Sequence, residues 1–259
     1  MSGLHHLRAH VVVLALALAA CTRAPGRPLD SASPEGILAR AVEQAGGAAA
    51  LRRARALEWD GEATVHAGGR HIRIAGLWRV QPPDSAVVTT YDVTRGPSSA
   101  RSMVVAAPRG WLVHDGHMSA MPPTLLASER AEFYLYELFR LVPLESRGVS
   151  LTAAPPDSLG HRGLRAAQPG RPPATLYVDD EGRLAHVRIQ VPGPETGELE
   201  WQDAWLTGVV QASGIRWPRE LHLTIDGRPY FDLTVNALRV RDRLVDTLVN
   251  GPGKSSSRS

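Results

Sequence analysis

Leu57-Glu58-Trp59-Asp60-Gly61-Glu62-Ala63-Thr64-Val65-His66 and His71-Ile72-Arg73-Ile74-Ala75-Gly76-Leu77-Trp78-Arg79-Val80 stand on either side of a Gly68-Gly69 turn, with Arg70 following it. In the first stretch Leu57, Trp59, Ala63 and Val65 alternate with Glu58, Glu62, Thr64 and His66. In the second, Ile72, Ile74, Trp78 and Val80 alternate with His71, Arg73 and Arg79. A strand sends successive side chains to opposite faces, so this period of two marks antiparallel strands with one dry face and one wet face.

The same period continues along the chain. Val87, Thr89, Tyr91 and Val93 share a face, as do Leu176 and Val178. Val187, Ile189 and Val191 oppose His186, Arg188 and Gln190; Leu221, Leu223 and Ile225 oppose Glu220, His222 and Thr224. Phe231, Leu233 and Val235 oppose Asp232, Thr234 and Asn236, and after Ala237 the apolar positions shift to Leu238 and Val240, which predicts a bulge. Asp179-Asp180-Glu181-Gly182 and Asp226-Gly227-Arg228-Pro229 read as hairpin turns. The expectation is ten or so strands in a single strongly curved antiparallel sheet. Strands do not alternate with helices, which excludes Rossmann and TIM arrangements and makes the body α+β.

Two helical segments interrupt the pattern. Ser33 caps a helix with Pro34 at its first position, where a missing N–H costs nothing; Ile37, Leu38, Ala41, Val42 and Ala45 follow at helical spacing and Gly46-Gly47 end it. A short helix over Ala48 to Arg55 comes next. The second segment, Thr124 to Val142, is apolar over most of its circumference, with Glu129, Arg130, Glu132, Glu137 and Arg140 as a narrow polar stripe. A helix this apolar must be mostly buried, and the concave face of the sheet is the place for it.

Composition narrows the function classes. The chain has 259 residues, 43% hydrophobic and 21% charged, the profile of a globular protein. Lys254 is its single lysine, net charge is only +3, and no run of like charges concentrates the arginines, so nucleic acid is not an expected partner. The one cysteine excludes an intramolecular disulfide and a thiolate-rich metal site.

That cysteine, Cys21, follows Leu18-Ala19-Ala20, which end the apolar run Val11 to Ala20 behind Arg8. The run suits an export signal and is too short to span a bilayer. The junction resembles the bacterial lipobox, which implies cleavage before Cys21 and its lipidation; the alternative is a plain secretory signal with Cys21 incidental. The lipobox reading divides the chain into a signal peptide (1–20), a lipidated cysteine and tether (21–33), a folded body (34–249) and a Gly/Pro/Ser-rich tail (250–259). Stable anchoring takes at least two acyl chains, which a triacylated Cys21 supplies. Thr22 stands where lipoproteins kept in the inner membrane often carry aspartate, so the resemblance implies the outer membrane, facing the periplasm.

The order of elements resembles LolA/LolB-like periplasmic proteins. The likeness is carried by the Gly-Gly-ended helix, Ala50-Leu51-Arg52-Arg53-Ala54-Arg55-Ala56-Leu57, and the first strand with Gly61. Gly110-Trp111-Leu112-Val113-His114-Asp115-Gly116, Leu176-Tyr177-Val178-Asp179 with Gly182-Arg183-Leu184, and the hairpin from Gly214-Ile215-Arg216-Trp217-Pro218 to Val235 extend it over most of 34–242. It implies an unclosed β-barrel lidded by helices, with an apolar interior for acyl chains of lipids or lipoproteins. A curved sheet has a concave dry face in any case, and ligand sites are concave and apolar. Trp59, Ile72, Ile74, Trp78, Tyr91, Tyr134 and Leu138 are the candidate cavity residues; each equally suits a filled core. The soluble carrier of the family has no lipid anchor, so Cys21 makes this chain more like the outer-membrane acceptor, or like anchored lipid-carrying lipoproteins. No residue here matches one known to act in transfer.

Other chemistry finds little support. His114-Asp115-Gly116-His117, with His66 or His71 as a further ligand, is a possible metal site, but it reads better as a polar hairpin turn. Asp179-Asp180-Glu181 lacks the later ligands of a calcium loop. No Gly-x-Ser-x-Gly, His-Glu-x-x-His or phosphate-binding glycine loop is present, so neither an enzyme nor a cofactor is expected. Three function classes remain: an anchored acyl-chain carrier or acceptor, a filled-core module docking to an envelope protein, and, weakest, a metal-dependent hydrolase at His114 and His117.

Overall fold

The computed structural model describes residues 30 and 32–250. The segment expected to be a signal peptide, Cys21, most of the expected tether and the residues beyond 250 lie outside the described residues.

The first helix, α1 (Pro34–Gln44), begins as its sequence dictates: the Ser33 hydroxyl accepts from the Gly36 amide at 3.1 Å, with Pro34 at the first position. It ends at Gly46, where φ is +115° and a Cβ would stand 2.1 Å from the Gly214 carbonyl oxygen, so only glycine allows the approach of that later hairpin. A six-residue α2 (Ala48–Arg53) follows, two residues shorter than its sequence suggests.

Six strands then form one meander: β1 (Ala56–Ala67), β2 (Arg70–Gln81), β3 (Ser85–Asp92), β4 (Arg101–Ala106), β5 (Arg109–His114) and β6 (His117–Ala120). After the long helix α3 (Pro123–Phe139) come β7 (Ser150–Ala154), β8 (Arg162–Ala167), β9 (Ala174–Val178), β10 (Leu184–Pro192) and β11 (Leu199–Thr207). A small hairpin, β12 (Val210–Ala212) and β13 (Ile215–Trp217), precedes β14 (Glu220–Ile225) and β15 (Arg228–Arg241).

Thirteen of these strands make one antiparallel sheet in the order β6-β5-β4-β3-β2-β1-β15-β14-β11-β10-β9-β8-β7, with β12 and β13 pairing separately. The two meanders join through β1 and β15, and β6 and β7 are left as unpaired edges, so the barrel is unclosed. The expected bulge in β15 is present one residue earlier than the apolar shift suggests: Asp60 pairs with Ala237 and Gly61 with Val235, leaving Asn236 extra.

Because β6 and β7 are opposite edges, the segment between them must cross the open side of the sheet. It does so as α3, which packs on β10 from one half and β4 from the other. Leu135 and Leu138 on its inner side are buried at 1% and 0% exposure, each such side chain contributing about 1.5–3 kcal/mol. The helix stops at Phe139, earlier than its apolar run implies, since Leu141 takes a positive φ and the chain turns into a 3-10 turn over Val142–Glu145.

A second, smaller apolar layer lies on the outer face. Val87, Val104 and Trp111 are buried there beneath Leu244, Leu248 and Val249 of the C-terminal segment. The sequence reading put Val87, Thr89, Tyr91 and Val93 on one face and Tyr91 near the cavity; the register turns Tyr91 to the outer face. Val80, Trp78 and Gly76 of β2 pair with Ala86, Val88 and Thr90, so those three face inward and the alternate set faces out. Both faces of β3 are apolar, and its period alone carries no sign.

Candidate functional site

Leu125, Glu129, Glu132, Phe133 and Tyr136 recur on α3 at three- and four-residue steps and therefore share one face. Between this face and the concave sheet lies a cavity of about 600 Å³, inside the range of about 300–1,000 Å³ common for ligand pockets. Its apolar wall is built from Val65 of β1, Ile74 and Trp78 of β2, Val88 of β3, Met103 of β4, Leu112 of β5, Leu223 of β14 and Phe231 of β15.

The registers orient this cavity. Val65 pairs with Ile72 and with Phe231, Thr90 with Arg101, and Arg101 with His114, which places these residues at one end of the sheet. Arg101 and His114 line the cavity and are exposed, so this end is its mouth. The other end is closed by aromatic rings: Trp59 lies 6.5 Å from Trp78, 5.1 Å from Tyr136 and 6.3 Å from Trp217, with Phe139 5.7 Å from Trp217. A smaller pocket of about 280 Å³, bordered by Gly193, Glu195, Thr196 and Glu200, shares Glu132 and Tyr230 with the main cavity.

Two carboxylates thus face an apolar space. Burial pushes the Glu132 carboxyl from an ordinary 4.5 up to about 7, against the neighbouring Tyr230 hydroxyl, which favours the charged form. Burial, and then the charge of Glu132, raise Glu129 well above its ordinary value. Glu132 also raises the Tyr230 phenol, ahead of burial and of Glu129. Among the described residues no basic side chain forms an ion pair with Glu129, Glu132, Glu195 or Glu200.

The seven candidate cavity residues are dispersed. Ile74 and Trp78 line the cavity. Ile72, half-buried opposite Val65, sits at the mouth outside the wall. Trp59 and Leu138 have no exposed surface and belong to the packed core. Tyr134 is on another side of α3, under the Arg171 guanidinium at 5.4 Å, and burial pushes its phenol up to about 12. Tyr91, the partner of Ala75, faces outward. The sequence reading missed Glu129 and Glu132 as cavity residues, although two acids three apart on an apolar helix are a usable signal. Tyr230 had none: it is the extra residue of a bulge between Leu223/Phe231 and Thr224/Pro229.

His114 and His117 flank a two-residue turn in which Asp115 (φ 49°) and Gly116 (φ 75°) both take the left-handed conformation of a type I′ hairpin. His66 and His71 join a different network on the outer face, with 2.8 Å between their Nδ1 atoms and 2.6 Å from His66 Nε2 to Asp232. Among the described residues no three His, Cys, Asp or Glu side chains are arranged to hold a metal ion. Asp179 closes the β9–β10 turn by accepting from the Arg183 amide at 2.7 Å.

No family model and no curated protein matches the chain. Solved structures do. A LolA superfamily protein from Nitrosomonas europaea is similar over 84% of this chain and 97% of its own, at TM-score 0.54 and 9% identity. The domain of a putative outer membrane lipoprotein-sorting protein from Vibrio parahaemolyticus covers 84% and 96%, at TM-score 0.52 and 12% identity. A DUF1329 family protein from Desulfovibrio piger covers 84% and 97%, at TM-score 0.52 and 8% identity. The chain has the LolA-type fold, an unclosed antiparallel barrel with a helix across its open side.

Proposed function

We propose that this protein holds acyl chains of a lipid or lipoprotein in the cavity beneath α3, as a carrier or acceptor in the bacterial envelope. The observation that carries this reading is the cavity itself: about 600 Å³, walled by apolar side chains, open at one end and plugged by aromatic rings at the other. Each methylene moved from water into such a wall contributes about 0.8 kcal/mol, so one chain of moderate length outweighs the cost of association. The fold it shares with a lipoprotein-sorting domain supports the same reading by analogy. Binding of this kind involves no covalent chemistry.

In the same reading Cys21 is lipidated and anchors the body to the outer membrane on its periplasmic side. The anchor confines the protein to one membrane, which suits an acceptor better than a shuttle. Entry and release occur at the mouth by Arg101 and His114.

The test is to export residues 22–259, which carry every described element, purify them without detergent and identify the organic extract by mass spectrometry. A stoichiometric lipid is expected, and a Leu125→Trp variant, which fills the cavity from a half-buried position, is expected to lose it while staying folded. A clean extract from folded protein overturns the reading and turns attention to exposed Leu199 and Trp201 as a protein-docking surface.

A further inference from the structure

Glu129 and Glu132 line the main cavity, and Glu195 and Glu200 border the smaller pocket that meets it at Glu132 and Tyr230. Among the described residues no basic side chain forms an ion pair with any of these four acids, although Arg101 and His114 line the mouth of the same cavity. Glu195 is exposed, but Glu129 and Glu132 face the cavity, where an isolated carboxylate loses its hydration and keeps its proton until a cation pairs with it.

Gln202 is an independent sign of an unfilled polar requirement. It has no exposed surface, and neither its Nε2 nor its Oε1 makes a hydrogen bond, although it lies beside the Glu132 carboxyl. Its register partners Ile189 and Ile225 put it on the inner face of β11. A buried carboxamide of this kind destabilises the fold until a partner arrives. Glu132, Tyr230 and Gln202 therefore form one polar cluster at the edge of an otherwise apolar cavity.

We infer that the cavity selects amphiphiles with a primary ammonium head, the chain lying against Ile74, Trp78 and Phe133 and the head between Glu129 and Glu132. An ammonium has three donors, enough to engage both carboxylates and the Tyr230 oxygen. An ammonium stabilises the ionised form of these acids, which burial otherwise holds toward the protonated form, whereas an anionic head of equal chain length finds no such partner and binds more weakly. The inference rests on the apolar cavity proposed above and names the head group it takes.

The experiment measures binding of hexadecylamine, hexadecanol and palmitate to residues 22–259 at neutral pH, below their micelle-forming concentrations, by displacement of a neutral fluorescent probe. The amine is expected to bind more tightly than the alcohol by about tenfold, and palmitate more weakly than either. In the Glu129→Gln/Glu132→Gln double variant the amine-to-alcohol ratio should fall to about one, while the outer-face control Glu62→Gln keeps the original ratio. Lysophosphatidylethanolamine and lysophosphatidylglycerol of one chain length separate a lipid head group from a free amine as the source of the ammonium. An amine-to-alcohol ratio near one in the unaltered protein overturns the inference and leaves the cavity reading standing. A preference that survives the double variant overturns it as well. If none of the three chains binds, the cavity reading itself fails.

Discussion

Gly61 and Gly76 are register partners on β1 and β2, and neither position has room for a side chain. A Cβ at Gly61 would stand 2.5 Å from the Thr234 carbonyl oxygen, and one at Gly76 would stand 2.1 Å from that of Thr89. These glycines lie between Ala63–Ile74 and Trp59–Trp78, midway along the wall of the cavity. Backbones approach this closely only where a sheet coils tightly, so the pair marks the bend that makes the sheet concave.

Gly76→Ala is therefore expected to destabilise the fold by about 1–3 kcal/mol, since the clash is with backbone and no flexible side chain can yield. Thermal denaturation followed by circular dichroism checks this, and an unchanged Tm would show that the bend tolerates a Cβ.

Leu138 and Leu125 separate fold from site. Leu138 has no exposed surface and faces the core, so Leu138→Ala should cost about 2–5 kcal/mol through the space it leaves. Leu125 is half-buried and lines the cavity, and Leu125→Trp should leave Tm nearly unchanged while abolishing ligand retention. Parallel melting curves and lipid extraction of the two variants provide the comparison.

The cavity acids make stability depend on pH in a defined direction. A carboxyl raised in the folded state holds its proton there more tightly than in the unfolded chain, so its contribution is greatest below 4.5 and is lost as pH rises through about 7. Glu129 and Glu137, raised chiefly by burial, act in the same sense. Without ligand, Tm should be higher near pH 5 than near pH 8, and Glu132→Gln should flatten the curve by raising the alkaline side. A Tm that climbs from pH 5 to pH 8 would contradict the burial of these acids.

Asp157 behaves oppositely. Its burial is outweighed by the amides of His161 and Leu159, each 2.9 Å from Oδ1, and by the His161 ring, which hold its carboxyl below the ordinary range. Its other oxygen lies 3.3 Å from Nδ1 of His186, a buried ring stacked between Tyr177 and Trp205 and bonded to Asp203 at 2.7 Å. Asp157→Asn is expected to cost about 1–3 kcal/mol near neutral pH. The difference from the unaltered protein should begin to shrink as pH falls past 3.8, where the unfolded chain takes up the proton, and vanish below the lower pH at which the folded carboxylate does so. Denaturant titrations at pH 7 and pH 3.5 give the two values.

Much of the fold is readable in one dimension because period and punctuation are local. Leu57 to Val80 alternates as a half-buried hairpin must, Ser33-Pro34 starts a helix, and Asp115-Gly116 can make the tight turn that separates His114 from His117. The site is less legible. Ile74 and Trp78 were found because their strand has one apolar face, whereas Tyr91 was misplaced because β3 has two. Leu138 and Tyr134 share the apolar helix with Phe133, and nothing in their spacing says which direction holds a ligand and which holds the core.

The order of wet and dry residues by itself determined that this chain makes a curved antiparallel sheet with an apolar helix to bury, since a strand or helix must hide its apolar face whatever lies beside it. Only the tertiary structure decided what the helix encloses. Because β6 and β7 end at opposite edges, α3 has to span the sheet, and that crossing turns Leu125, Glu129, Glu132, Phe133 and Tyr136 toward a cavity instead of toward water. Tyr230 reaches the same space through a bulge in β15, and Gln202 comes up beside Glu132 from β11. The meeting of these three residues, distant in sequence, depends on strand order and register, which the chain expresses only when folded.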